Sequence, residues 1–433
     1  MKDDLQSNLE NFLRHIDSIK DTLPMAIILI EPYNKTAIDN FASFLKSNVK
    51  EVEDFEGKQQ ISINPSEFKK FELLERNAST SSLAPKIISE SLFVSLISQY
   101  DAFLSRILRI IFEIKPEILS GSDKNLTFSQ LTEFKTIEKA KEHIAEKEVE
   151  AVLRKSHSEH FDYLENKLGM KLRENQSLWR KFIEITERRN LFVHCDGVVS
   201  NQYLQKCSIE GCEINDYKLG DKLDVKIEYF SKAHKCLYEL SVTLTHTIWR
   251  KMLKEDLSNA DKELNNICFD LISAKSFELA DTLLSFACNQ KKHADDFYKN
   301  ILIINHALSK YLQNKNEDVK MILSSKDWSA CSDKFKLAYE ILMNDYKKAY
   351  VIMKRIGRNG DIEDSEYKGW PLFIKIREEK EFKDIYKEIF EEEYSVTETP
   401  LRPVLELIHS ILKKKTNAKK NNPQKKNRNS KKS

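Results

Sequence analysis

Glycine and proline are almost missing from this chain, at nine of each in 433 residues. An ordinary soluble protein carries roughly 7% Gly and 5% Pro. Tight reversals of the backbone depend on those residues, so the many turns of a β-sandwich or barrel cannot be supplied. The sequence therefore predicts an all-α fold, and its length suits two or three domains. The same shortage removes whole classes of phosphate-binding loop. There is no G-x-G-x-x-G, and the Gly57-Lys58 pair has Val52 where a P-loop would place its first glycine.

Apolar residues make up 41% of the chain and charged residues 32%, enough for a core beneath a heavily charged surface. The net charge of +2 hides an asymmetry. Residues 413–433 hold ten Lys or Arg and no acid, so +2 less the tail's +10 leaves −8 on residues 1–412. The seven cysteines are irregularly spaced and suggest no disulfide framework, which fits a reducing compartment. The start, Met1-Lys2-Asp3-Asp4, lacks a signal-peptide pattern. Met25–Ile30 is far short of the ~20 apolar residues that span a bilayer. The expectation is a cytoplasmic protein with no membrane partner.

Residues 1–22 read as an amphipathic helix through Leu5, Leu9, Phe12, Leu13 and Ile16. The stretch 25–80 is the least regular: Met25–Ile30 suits a strand or a buried helical turn, and Asn77–Ser82 a loop before Pro85. Helices are then expected at 87–112, 138–168, 175–196 and 228–255, the second and third stopped by Gly169 and Gly197. The first of these has apolar residues on more than one face, Leu104, Leu108 and Ile111 thickening the stripe of Leu92, Leu96, Tyr100, Phe103 and Ile107. Together they make an up-and-down bundle over 87–255, behind a helical or mixed extension at 1–86. From 256 to 400 shorter helices (261–274, 276–289, 294–313, 330–343, 345–356, 380–392) carry small residues such as Ala280, Ala307 and Ala349. This is the texture of a tetratricopeptide-like array. The Lys/Asn tail at 413–433 reads as disordered, suited to nonspecific contact with RNA phosphates or to solubility alone.

The segment Trp179–Gly197 carries the candidate chemistry. Arg189 shares a helical stripe with Phe182, Ile185 and Phe192, while Asn190 and His194 share the next stripe with Ile183. Polar residues on a core-facing surface mark a functional or specifically paired site. His194 falls in the last helical turn, where the helix dipole favours the imidazolium. Such a histidine can shuttle protons, an arginine can stabilise a crowded phosphorane, and an asparagine can hold a phosphate oxygen. The plainer alternative pairs Arg189 with Glu184 or Glu187 and leaves His194 capping the helix. Asp101, amid Tyr100, Ala102 and Phe103, is either an acid that orients Arg189 or His194 or a buried polar pair. Glu184 is a further candidate supporting acid, or a helix ion-pair residue like Glu187. Of two looser Arg–His spacings, Arg154–His160 reads as a solvated pair and Arg402–His409 as a helix start. Cys207, Cys212, His234 and Cys236 are zinc-capable, but their spacing is wider than structural zinc sites use, so no metal and no cofactor is expected.

R-N-x-x-x-H closing the third long helix of a bundle, with Asp196-Gly197 after it, resembles the HEPN superfamily (higher eukaryotes and prokaryotes nucleotide-binding domains). Ser95–Phe112 looks like the first helix of that fold, Arg188–Tyr203 like its motif helix and exit, and Lys218–Leu223 with Glu228-Tyr229 like the entry to its final helix. The likeness covers about 87–255, and the region around Trp370-Pro371-Leu372-Phe373 looks like an extension of some bacterial members. It implies a metal-independent endoribonuclease, a toxin or phage-defence effector, with Arg189 and His194 as the catalytic pair and Asn190 as their polar partner. It also implies a homodimer whose two motifs form one cleft. Geometry points the same way: five residues turn a helix by about 500°, which aims Arg189 and His194 about 140° apart. Some members only bind, so a non-catalytic dimerisation or adaptor protein is the alternative, and the helical array suits an antitoxin or another protein partner.

Overall fold

The computed structural model describes residues 2–53, 59–121, 126–214 and 216–395; the basic tail from 413 lies outside them. The fold is all-α. Helix α1 (Lys2–Asn48) and helix α2 (Phe68–Ile114) are joined through a two-stranded antiparallel hairpin, β1 (Val49–Glu53) and β2 (Gln59–Ile63), in register Val49 with Ile63.

The extension before residue 87 is far more helical than its composition suggests. Met25–Ile30 is neither strand nor buried turn: it is helical, with Met25, Ile28 and Leu29 exposed. Asn77–Ser82 is not a loop either, and α2 runs through it and through Pro85. The small hydroxyl residues fold back on their own helix, Ser79 Oγ donating to the Arg76 carbonyl, Ser82 Oγ to that of Ser79 and Ser89 Oγ to that of Pro85. Ala78 and Ser81 are buried, and Ser81 Oγ also donates to Asn34 Oδ1 of α1. Small side chains here admit a neighbouring helix, and that packing overrides weak helical propensity.

The bundle continues with α3 (Phe128–Glu133), α4 (Ile137–Leu153), α5 (His157–Leu168), α6 (Gln176–His194), α7 (Asn201–Ile209) and α8 (Ile227–Met252). The single helix expected over 138–168 is broken at Arg154–Ser156. Ser156 caps α5 in a box with Glu159, each side chain bonding the other's backbone N–H. Leu96, Tyr100, Phe103, Ile107, Phe182, Ile183, Leu237, Leu240 and Leu244 form the shared core.

Helix α1 belongs to this core. Leu5, Leu9, Phe12 and Ile16 are fully buried, Phe12 stacks on Phe103 at 4.6 Å, and His234 Nε2 of α8 lies 2.8 Å from Asp17 Oδ1. The apolar surplus on α2 is thus covered within the chain by α1.

Beyond the bundle come α9 (Leu257–Ser273), α10 (Phe277–Cys288), α11 (Asp296–Leu312) and α12 (Asn316–Leu323), then α13 (Asp333–Leu342), α14 (Tyr346–Ile356), α15 (Asp364–Gly369) and α16 (Lys380–Phe390). Three helical hairpins close alike. Lys275, Asn314 and Asn344 take φ of 58°, 61° and 63°, and the next N–H reaches back five residues, Ser276 to Leu271, Lys315 to Lys310 and Asp345 to Glu340, at 2.8–3.0 Å. The chain falls into two compact units divided after Lys326, so the first takes in α1 through α12 rather than stopping near residue 255. The second is built on its own core of Leu342, Tyr367, Phe373, Phe382 and Tyr386.

Candidate functional site

Helix α6 is fixed at both ends. Asn175 Oδ1 accepts from Leu178 N, and at the far end Cys195 N and Gly197 N both bond the Leu191 carbonyl. Gly197 has φ +74°, and a Cβ there would stand 2.8 Å from the Phe192 ring. The residues after it pair with 220–223: Val199 N donates to the Asp221 carbonyl and Leu223 N to that of Gly197. The motif thus sits on a rigid element.

Arg189 projects from α6 toward α2. Its Nη2 donates to Asp101 Oδ2 at 2.8 Å and its Nη1 to Asn190 Oδ1 at 3.2 Å. Asp101 thus pairs with Arg189, a contact that an orienting acid and a plain polar pair share. The other oxygen of Asp101 lies 2.8 Å from His157 Nε2, at the start of α5. Asn190 Nδ2 reaches Glu187 Oε2 at 3.5 Å, and Lys206 of α7 lies 3.5 Å from the other Glu187 oxygen. These groups line a cavity of about 550 Å³, together with Arg154, Lys155, Ser156, Glu159 and His160. Two of the five guanidinium N–H donors are used within this network. Arg189 Nε is buried without a hydrogen-bond partner among the described residues.

Glu184 does not support Arg189. It faces the other side of α6, where Arg188 Nε, Tyr203 Oη and Tyr229 Oη bond it at 2.8, 2.8 and 2.6 Å. Burial first and the Glu184 carboxylate second hold the Tyr229 hydroxyl protonated well above its ordinary range. The Arg188 guanidinium lies 3.9 Å over the Tyr229 ring. Burial forbids leaving Glu184 uncompensated, and this network anchors α6 to α7 and α8.

His194 is exposed and lines no part of the Arg189 cavity. The structure therefore brings Arg189, Asn190 and Asp101 together and leaves His194 apart, as the helical rotation between 189 and 194 dictates.

His160 is not solvated. It is 2% exposed, and burial first, with His157 second, lowers its pKa to about 4. His157 was missed altogether; the signal was Ser156-x-x-Glu159, a capping box that starts a new helix and turns its first residue inward.

Of the zinc-capable side chains, Cys207 and Cys212 lie side by side, while the other two have partners of their own. His234 is engaged by Asp17, while Cys236 Sγ faces the Leu178 carbonyl at 3.9 Å and Cys212 Sγ the Arg180 carbonyl at 3.2 Å. Among the described residues no three His, Cys, Asp or Glu side chains are grouped to hold a metal ion. None of the described helices is long and apolar enough to cross a membrane.

No family model matches the chain, and no curated protein or solved structure matches it.

Proposed function

We propose that the protein is a metal-independent endoribonuclease of HEPN type, active as a homodimer and acting as a toxin or defence effector. One observation carries the reading: the Arg189 guanidinium is held by Asp101 at an open cavity with donors to spare, while His194 on the same helix stands outside that cavity. A phosphate seated on Arg189 meets His194 only when a second copy presents it. The fixed guanidinium suits the extra negative charge of a phosphorane, and Asn190 beside it suits a phosphoryl oxygen.

The test uses purified protein, a defined RNA and the matching DNA in excess chelator. RNA should be cut to 2′,3′-cyclic phosphate ends, because the 2′-hydroxyl is the nucleophile, and DNA should survive. Arg189→Ala and His194→Ala should each abolish cutting and relieve growth arrest on expression. A folded His194→Ala protein with full activity refutes the reading.

The runner-up is a non-catalytic adaptor. It draws on a cavity of about 780 Å³, formed by residues 171–179 with α8, α10, α11 and α12 and lined by Arg173, Glu239, Asp281, His306 and Lys310. Its mixed charge and depth suit a protein or nucleotide partner, and uncut RNA under every condition would favour it.

A further inference from the structure

We infer that His157 is a second proton-transfer residue of the cleavage site, working in the same chain as Arg189; this rests on the ribonuclease reading above. Attack by a 2′-hydroxyl releases a proton at one oxygen, and the departing 5′-oxygen needs one at another. The Arg189–His194 motif supplies a single imidazole per chain, and that imidazole stands outside the Arg189 cavity of its own chain.

His157 has the geometry for the missing role. It is the first residue of α5, and its Nε2 lies 2.8 Å from Asp101 Oδ1 while Arg189 Nη2 donates to Asp101 Oδ2 at the same distance. One carboxylate thus sets imidazole and guanidinium side by side. With Nε2–H donated to Asp101, Nδ1 is the nitrogen left to accept a proton. The ring is locked edge-to-face against Phe182 at 5.4 Å and lies 6.4 Å from the Tyr100 ring. Its side chain is only 11% exposed, and what is open faces the cavity it shares with Arg189 and Asn190.

The surroundings single out this histidine. His160, whose ring is 5.1 Å away, is held neutral by burial and cannot act as an acid near neutral pH. The charged groups that line the cavity with His157 are Asp101 from α2, Glu159 from α5 itself, Glu187 and Arg189 from α6, Lys206 from α7, and Arg154 and Lys155 just before α5. Of these, Asp101 hydrogen-bonds the ring, and that bond fixes which nitrogen is left for the substrate.

The step balances. His157 Nδ1 takes the 2′-hydroxyl proton as the O2′–P bond forms. The P–O5′ bond breaks, and the imidazolium of His194 from a second copy gives its proton to O5′. The products are a 2′,3′-cyclic phosphate and a 5′-hydroxyl, and solvent exchange resets both rings.

The test follows single-turnover cleavage of a short RNA across pH 4–9 by wild type, His157→Ala, His157→Gln and His194→Ala, each checked for native circular dichroism and melting. A second substrate carries sulfur at the 5′-leaving position, which departs without protonation. His157→Ala and His157→Gln should both lose about 100-fold or more in rate and lose the acidic limb of the profile. The sulfur substrate should rescue His194→Ala and leave the His157 variants slow. Near-wild-type rate in folded His157→Gln, an unchanged acidic limb, or sulfur rescue of His157→Ala overturns the inference. Wild type that cuts no RNA fails the ribonuclease reading itself, whereas active wild type with an indifferent His157 fails this inference alone.

Discussion

Asp101 bridges His157 and Arg189 with separate oxygens, each at 2.8 Å, and so joins α2, α5 and α6 at one carboxylate. Asp101→Asn keeps the shape but removes the charge and one acceptor. Turnover of RNA should fall by about tenfold to 100-fold, because a guanidinium displaced by an ångström loses its alignment with the phosphorane. Stability should shift by no more than about 1 kcal/mol, since both partners are partly solvated. Cleavage kinetics beside a urea titration separate the two effects, and unchanged kinetics would remove Asp101 from the site.

Arg189→Ala and His194→Ala, co-expressed with different tags and purified as the mixed species, should recover part of the activity that neither has alone. A mixed dimer retains one intact Arg–His combination across the two chains. Recovery approaching half of wild type is expected at the composite limit. A wild-type mass of one chain with full activity, or no recovery in a proven mixed dimer, places the pair within one chain.

Phe12 is buried between α1 and α2 and stacked on Phe103. Phe12→Ala should cost about 3–5 kcal/mol, the range for removing a buried aromatic. Leu29→Ala, where the side chain is 78% exposed, should stay within about 0.5 kcal/mol. Denaturation midpoints of the two variants decide whether the N-terminal helix is core or appendage.

Glu263 of α9 is 6% exposed, accepts from Gln6 Nε2 at 3.0 Å, and has its pKa raised to about 7 by burial first and by Glu10 and Asp270 after it. Between its ordinary value near 4.5 and about 7 the folded protein binds more protons here than the unfolded chain. The carboxyl therefore costs nothing below that window and progressively destabilises the fold as pH rises through it. Glu263→Gln should flatten that slope and stabilise the protein by roughly 1–3 kcal/mol at pH 8, with little change at pH 4. Melting temperatures across pH 4–8 provide the check, and parallel curves for the two proteins would exclude this site as the source.

The helical class was legible because Gly and Pro are so few, and the two ends of α6 because Asn175 and Gly197 carry the capping chemistry themselves. Asp101 was visible as a charge on an apolar face. What stayed hidden was decided by neighbours distant in sequence. Asn77–Ser82 is helical because Ala78 and Ser81 lie against α1, and composition sees only the hydroxyls. The sequence shows apolar residues on more than one face of α2 but not what covers them, which is α1. Glu184 and Asp101 both stood within reach of the motif on paper, and only the rotation of α6 sends one to Arg188 and the other to Arg189. His157 escaped because its value comes from Asp101, 56 positions earlier.

The docking of α1 sets a schedule for the newborn chain. Asp17 leaves the ribosome 217 residues before its partner His234. At about 5–20 residues per second, that interval is roughly ten to forty seconds. Throughout it, Leu5, Leu9, Phe12 and Ile16 have no complete seat, since α8 does not yet exist. Helix α1 is made before the other described helices yet is among the last of them to be fully housed, and its oily stripe is the segment a ribosome-bound chaperone would be expected to shelter.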